Sequence, residues 1–322
     1  MLSIDVARFR ARLLSTLRRF FDELGYLEVD TPVLAPDLIP EAHIEVFATE
    51  VVHPYEATAA RRFLVPSPEI WMKRLLAHGY GDIYYLGKVF RNAESTSPIH
   101  HPEFTMLEWY TVGSSAADQA DRTEDLLRRL CRALPKAEGS PRVGRRAERM
   151  TVAESFARYA GTPSISFGDG TSLRNAATRL GLHVSPGEEE ENLFQRIFLT
   201  FVEPSLPRDR PLILYDYPAL VPTLAKTKAG SSAGKTSERW ELYLDGMELA
   251  NCYTEERDRR RLERFLARET ERKRDARVAH PSAESLLEFA AAPECSGVAL
   301  GVDRLVMALL GLRDIRGVIF FP

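Results

Sequence analysis

The chain has 322 residues, 44% of them hydrophobic and 28% charged, which suits one or two folded domains with a sizeable core and excludes a disordered chain. Lys and Arg number 43 and Asp and Glu 46, a formal net charge of −3, so this is not a globally basic nucleic-acid binder. No apolar run approaches the ~18 residues that span a membrane, MLSIDVARFRARLL is too charged for a secretory leader, and the widely spaced Cys131, Cys252 and Cys295 suit a reducing, cytoplasmic setting rather than a disulfide framework.

In chain order, residues 3–24 predict an amphipathic helix. Ser3 is its N-cap, Ile4, Phe9, Leu13, Leu17, Phe20 and Leu24 form its apolar stripe, and Gly25 stops it. A short strand follows over 26–29, ended by Thr31-Pro32, and 35–62 predict strand and loop. Residues 67–77 (SPEIWMKRLLA) predict a helix with Ser67 at its cap and Pro68 in its first turn. Ile83–Phe90 and Phe104–Tyr110 predict an antiparallel hairpin with a long Ser-, Thr-, Pro- and His-rich connection. A helix is expected over 115–134, a basic linker over 135–148 and mainly helical structure over 151–206. Strands are expected at 212–217, 239–244 and 248–253, with 225–238 (AKTKAGSSAGKTSE) a mobile loop between the first two. Charged helices at 256–277 and 283–292 precede a strand, a Gly turn and a helix over 296–311. Antiparallel strands with non-alternating helices point to an α+β fold rather than a doubly wound sheet.

Gly230–Thr236 imitates a phosphate-binding P-loop, but it has three residues between its glycines instead of four and leads into a strand. Three other blocks carry more chemistry. The first is Phe90-Arg91-Asn92 with His101 through Tyr110, the second is Arg239–Asn251, and the third is Gly297–Leu305. Arg91 at a strand end and Arg304 at a helix start could bracket a triphosphate, and Phe104 offers a face to an adenine ring. Glu241 and Glu248 are seven residues apart, which on an unbroken strand puts them on opposite faces. Asp245-Gly246 between them predicts a turn, across which both carboxylates could meet as hard oxygen ligands for Mg²⁺. Glu69, Glu108 and Glu255 add acids beyond a metal's need, which suits a substrate with ammonium groups.

These blocks resemble motifs 2 and 3 of the class II aminoacyl-tRNA synthetases, and the helix with YLEVDTP resembles motif 1, the dimer-forming element. SPEIWMKRLL, HPEFTMLEWY, ELANCYTE and CSGVALGVDRLVM are most similar to the lysyl branch, and within it to the short paralogues without an anticodon-binding domain that lysylate translation elongation factor P. The resemblance covers nearly the whole chain and is weakest over 113–206. It implies one class II catalytic domain over 1–322, an antiparallel sheet flanked by helices, with a mainly helical insert at about 113–206.

The resemblance also implies an activity. Lysine, in the form of (R)-β-lysine, would be activated with ATP and Mg²⁺ as an aminoacyl-adenylate and passed to a lysine ε-amine of elongation factor P. The alternatives are a minimal lysyl-tRNA synthetase-like enzyme and a non-catalytic regulatory paralogue. A cytoplasmic homodimer is expected, with no anticodon recognition and no membrane. Arg91, Glu248 and Arg304 would be catalytic. Arg91, Asn92, Glu94, His101, Phe104, Glu241, Glu248, Leu249, Gly301 and Arg304 would bind ATP, with Glu241 and Glu248 holding Mg²⁺. Ser67, Glu69, Glu108, Tyr110, Asn251, Tyr253, Glu255 and Ala299 would form the amino-acid pocket, Ala299 standing where lysyl-tRNA synthetases have Gly. The chain departs from the pattern at Ala93, at His101, at Cys252 and in a slightly longer motif 2 loop.

Overall fold

A computed structural model of the chain describes residues 1–52, 54–55, 59–93, 97–134, 140–163, 165–231, 234–274 and 276–322. Its first elements are α1 (Ile4–Glu23), β1 (Leu27–Glu28), β2 (Leu34–Ala35), β3 (Ala48–Val51), β4 (Ala60–Leu64), α2 (Glu69–Ala77), β5 (Ile83–Phe90) and β6 (Glu103–Val112). Next come α3 (Ala116–Ala133), α4 (Ser140–Val143), β7 (Glu148–Thr151), α5 (Val152–Tyr159), α6 (Gly170–Arg179), α7 (Glu190–Ile197) and β8 (Leu212–Tyr215). The C-terminal third holds β9 (Thr227–Ser231), β10 (Gly234–Ser237), β11 (Arg239–Leu244), β12 (Met247–Thr254), α8 (Arg259–Arg272), a 3₁₀ segment (Glu284–Ala291), β13 (Cys295–Gly301) and α9 (Val302–Leu310).

Eight strands form one sheet in the order β1-β5-β6-β13-β12-β11-β8-β7. The six central strands are antiparallel. Both edges, β1 on β5 and β7 on β8, are parallel, so the sheet is mixed where an antiparallel one was expected. The difference arises because β1 and β7 are short segments that leave a helix and enter one, and neither is joined to its neighbour by a hairpin. The α+β expectation itself holds.

Alternation along the strands gives the sheet two chemically different faces. Leu107, Trp109, Trp240, Leu242, Val298 and Leu300 point into the main core, against Leu13, Leu17 and Phe21 of α1, Leu126, Leu127 and Leu130 of α3, and Leu305, Val306 and Leu309 of α9. The helix α1 begins as its sequence dictates, with the Ser3 hydroxyl accepting from the Val6 N–H. Its stripe is shorter than expected, because Ile4 (70% exposed) and Leu24 (50%) stay in water while Phe21 is fully buried. A reciprocal cap between Ser115 and Asp118 starts α3. The buried indoles find acceptors there: Trp109 donates to Gln119 Oε1 at 2.8 Å and Trp240 to the Ala116 carbonyl at 2.5 Å.

Residues 151–206 build a second apolar cluster around Phe156, Phe167, Phe194 and Phe198, which packs on Leu212, Leu214 and Tyr243 of the sheet. Phe156 and Phe194 stack at 5.2 Å. Over 225–238 a mobile loop was expected; the described residues form instead the antiparallel ribbon β9–β10. Gly234 sits there at φ +104 directly against the backbone of Gly168, where a Cβ would come within 2.8 Å of the Gly168 nitrogen.

Candidate active site

The face of the sheet turned away from the main core carries most of the candidate residues. Register places Glu241 opposite Asn251, Asn251 opposite Ala299, Ala299 opposite Glu108, and Glu108 opposite Tyr85. The next rung holds Arg239, Tyr253, Gly297 and Tyr110. Phe104, Met106, Glu108 and Tyr110 share this face because they alternate along β6.

Glu248 reaches the same face by a local irregularity. Leu242 pairs with Ala250 but Tyr243 pairs with Glu248, so Leu249 is an extra residue in β12, a β-bulge. Asp245 (φ 57) and Gly246 (φ 76) turn the hairpin. The turn and the bulge together resolve the parity problem of the seven-residue spacing, and Glu241, Glu248 and Asn251 come to one side.

A cavity of about 300 Å³ opens on this face, lined among others by Arg91, His101, Phe104, Glu248, Leu249, Asn251, Ala299, Gly301 and Arg304. Arg91 stands over the Phe104 ring at 5.4 Å, and its Nε is buried without a hydrogen-bond partner among the described residues. Such a donor is costly unless an anion arrives to accept from it. Arg304 donates to the Glu248 carbonyl at 2.8 Å and to the Ile99 carbonyl at 3.3 Å, and its guanidinium lies 4.0 Å from the Glu248 carboxylate. Partial shielding from water on the cavity wall and then the Glu241 charge raise the Glu248 carboxyl to about 7, while Arg304, Arg239 and Arg91 pull it down.

Next to the cavity lies a closed cluster of acids. Glu108 is buried, accepting from Ser67 Oγ at 2.7 Å and from the Tyr110 hydroxyl at 2.9 Å. Glu69 accepts from the Tyr253 hydroxyl at 3.0 Å. Lys73, on α2 and fully buried, pairs with Glu69 at 2.7 Å and Glu255 at 2.8 Å, with its ammonium also over the Phe289 ring at 5.1 Å. Burial raises the Glu108 and Glu255 carboxyls to about 8, with Glu69 pushing the same way in each and Lys73 opposing. Burial draws the Lys73 ammonium down, but Glu255 and Glu69 outweigh it and hold it charged. At Gly297 a Cβ would collide with the Tyr110 ring and come within 2.7 Å of the Glu255 carboxylate, so glycine keeps room between them.

Glu241 is engaged elsewhere. It is 7% exposed, and Arg239 donates to its Oε1 at 2.5 Å. Tyr217 and Tyr243 donate to its Oε2 at 2.5 and 2.6 Å. Burial and then the Glu241 charge raise both phenols, which keeps them protonated and donating. Glu241 therefore does not fit as a direct ligand of Mg²⁺, whereas Glu248, 39% exposed and lining the cavity, does. One carboxylate together with substrate phosphates is an ordinary donor set for that ion.

The structure thus divides most of the expected residues between the open cavity and the closed cluster, with Asn251 and Ala299 at the junction. Asn92 stays outside the cavity's lining: its side chain donates to the Val46 carbonyl at 3.3 Å and accepts from the Ala93 N–H at 2.8 Å, holding Ala93 at φ 51. His101 lines the cavity with Nδ1 2.7 Å from the Glu103 carbonyl. Glu94 lies outside the described residues. Lys73, Arg239, Tyr217 and Tyr243 were missed. The i,i+4 spacing of Glu69 and Lys73, and the alternation of Arg239, Glu241 and Tyr243, are the sequence features that would have found three of them.

Over residues 3–322 the chain matches the family model of the class II tRNA synthetases (D, K and N). It is 37% identical, over 99% of its length and 96% of the relative's, to the elongation factor P–(R)-β-lysine ligase of Vibrio parahaemolyticus. The protein of that name from Vibrio cholerae is 38% identical over the same shares, and that from Yersinia enterocolitica is 37% identical over 97% of this chain and 93% of its own.

Proposed function

This chain belongs to the class II (D, K and N) tRNA synthetase family, and from that premise we propose that it activates lysine, (R)-β-lysine in particular, with ATP and transfers it to a lysine ε-amine of translation elongation factor P. The observation that carries this reading is the pairing of an anion cavity, where the Arg91 Nε lacks a partner among the described residues, with a buried cluster of three carboxylates and one internal ammonium. Burial holds protons on Glu108 and Glu255 in the empty site; once arriving ammonium groups displace them, three carboxylates against one lysine leave two negative charges, the complement of a diamino acid. Neutral amino acids would leave those carboxylates unpaired, at a cost of about 1–3 kcal/mol each.

In this reading Arg91 binds the α-phosphate and the attacking carboxylate. Phe104 stacks on the adenine, and Arg304 holds the γ-phosphate. The substrate carboxylate oxygen bonds to the α-phosphorus, the bond to the β-phosphate oxygen breaks, and pyrophosphate leaves. The acceptor amine then displaces AMP and forms an amide. Glu248 would hold a Mg²⁺ ion, which offsets charge on the phosphates when bound. Glu241 orients Arg239, which in turn holds Asn251 through a 3.1 Å hydrogen bond. Glu255 and Tyr110 receive the side-chain ammonium, Glu69 and Glu108 the other amino group, and Asn251 and Tyr253 shape the pocket. No enzyme nucleophile is used; alignment and electrostatics supply the rate.

A homodimer formed through the α1 segment and a cytoplasmic location belong to the same proposal. The exposed Ile4, Leu24 and Leu27 support the first. The buried thiols of Cys252 and Cys295, outside any disulfide, support the second.

The test has two steps. Pyrophosphate exchange is measured with lysine and with β-lysine, and the charged enzyme is then offered elongation factor P or tRNA. No exchange with either amino acid refutes an activating enzyme, and transfer to tRNA alone refutes the protein acceptor. Ala299 projects from the substrate face between Asn251 and Glu108, so its methyl trims the pocket. Ala299→Gly is expected to move the preference towards α-lysine by about 1–3 kcal/mol, roughly tenfold or more in relative kcat/KM. An unchanged ratio of the two activation rates would remove Ala299 from specificity.

A further inference from the structure

A buried network joins the first helix of the chain to both segments that carry the cavity's ATP contacts. Arg10 on α1 is 6% exposed and Asp303 in the first turn of α9 is 2% exposed. Arg10 Nη1 donates to Asp303 Oδ1 at 2.5 Å, and Nη2 donates to Thr105 Oγ1 at 2.7 Å. The Thr105 backbone N–H donates to Asp303 Oδ2 at 2.6 Å, which closes a ring of three residues. Arg10 Nη1 also reaches the Val318 carbonyl at 3.4 Å.

The partners' positions matter. Thr105 follows Phe104, whose ring faces the cavity, and Asp303 precedes Arg304 and itself lines that cavity. Burying two charges is costly, and an apolar pair would hold α1 against α9 at least as well. What the guanidinium fork adds is direction: it fixes the first turn of α9, through Asp303, and the Thr105 hydroxyl of β6 against one rigid plane, while Asp303 holds the Thr105 backbone. We infer that Arg10 and Asp303 are positioning residues for ATP, setting the Arg304 guanidinium and the Phe104 ring at a fixed separation across the cavity. The inference rests on the assignment of that cavity to ATP.

Arg10→Lys tests it, because an ammonium keeps the charge and loses the fork. The folded variant is expected to show a KM for ATP in pyrophosphate exchange raised about tenfold or more, with the KM for lysine or β-lysine within about twofold of wild type. Asp303→Asn, which keeps an acceptor for the Thr105 N–H, is the second variant and should show the same ATP-specific loss. Arg10→Met with Asp303→Leu removes both charges and should recover the unfolding midpoint without recovering the KM for ATP. Wild-type kinetics in both single variants, a proportionate rise in both KM values, or failure of both to fold would make the pair purely structural and overturn the inference. A wild-type control that exchanges no pyrophosphate would instead defeat the assignment of the cavity to ATP, and this inference with it.

Discussion

Arg304→Ala is expected to abolish lysine-dependent pyrophosphate exchange, a fall of roughly 10²–10³-fold or more in kcat. The guanidinium is anchored from behind by the carbonyls of Glu248 and Ile99, so its charge is held at the cavity before any substrate arrives. Preorganised charge of this kind acts on the transition state because it needs no rearrangement during the reaction. The side chain is 21% exposed and, among the described residues, makes no ion pair closer than 4.0 Å, so the variant should fold with an unfolding midpoint within a few degrees of wild type. Arg304→Lys should rescue little, because one ammonium cannot serve both carbonyls and a phosphate in the same plane. Exchange close to wild type in the folded alanine variant would remove Arg304 from phosphate binding.

Lys73→Met should have the largest effect on stability. The lysine is fully buried between Glu69 and Glu255, and removing one partner of such a cluster leaves uncompensated charge, at a cost of about 3–5 kcal/mol. The loss should depend on pH. Glu255 titrates at about 8 in the folded chain, against 4.5 for an exposed glutamate, so the folded state holds that proton more tightly. The stability tied to this group is fully present below the unfolded value and is lost as the pH rises towards the folded one. Without Lys73 the folded value moves higher still. Both folded proteins keep the proton up to about pH 8, so the deficit against wild type should stay level from about pH 6 to pH 8 and widen above it. Denaturant unfolding of both proteins at about pH 6.5 and about pH 9.5 checks this. An unchanged midpoint in the variant, or a loss of equal size at both pH values, would show that Lys73 does not neutralise the cluster.

How far the sequence could be read depended on whether the deciding contact was local. The Ser3 cap, the Asp245-Gly246 turn and the alternation of Phe104, Glu108 and Tyr110 are written in neighbouring residues, and the antiparallel centre of the sheet follows from them. The Leu249 bulge is not: nothing in MELANCY distinguishes the extra residue, which is fixed by pairing with Leu242 and Tyr243 on the next strand. Lys73 could be paired with Glu69 from its spacing, but Glu255 lies far along the chain, and the burial that makes the pair consequential comes from Phe289. The cage around Glu241 draws Tyr217 from before the β9–β10 ribbon. The ribbon itself looked like a loop because its Gly and Ser content resembles a linker, while its order comes from pairing and from contact with Gly168.

The bulge at Leu249 also bears on how this chain can vary. Up to Leu249 strand β12 presents one phase of its sequence to the substrate face, and beyond it the other phase. Glu248 and Asn251 share a face only because one residue is out of step. A deletion there would not trim the strand. It would exchange inward and outward side chains on one flank of the hairpin, setting a carboxylate against the tryptophans of the core or an apolar residue into the cavity. This stretch can therefore change by substitution but not by length, and the chemistry and the fold of the hairpin must be inherited as one reading frame.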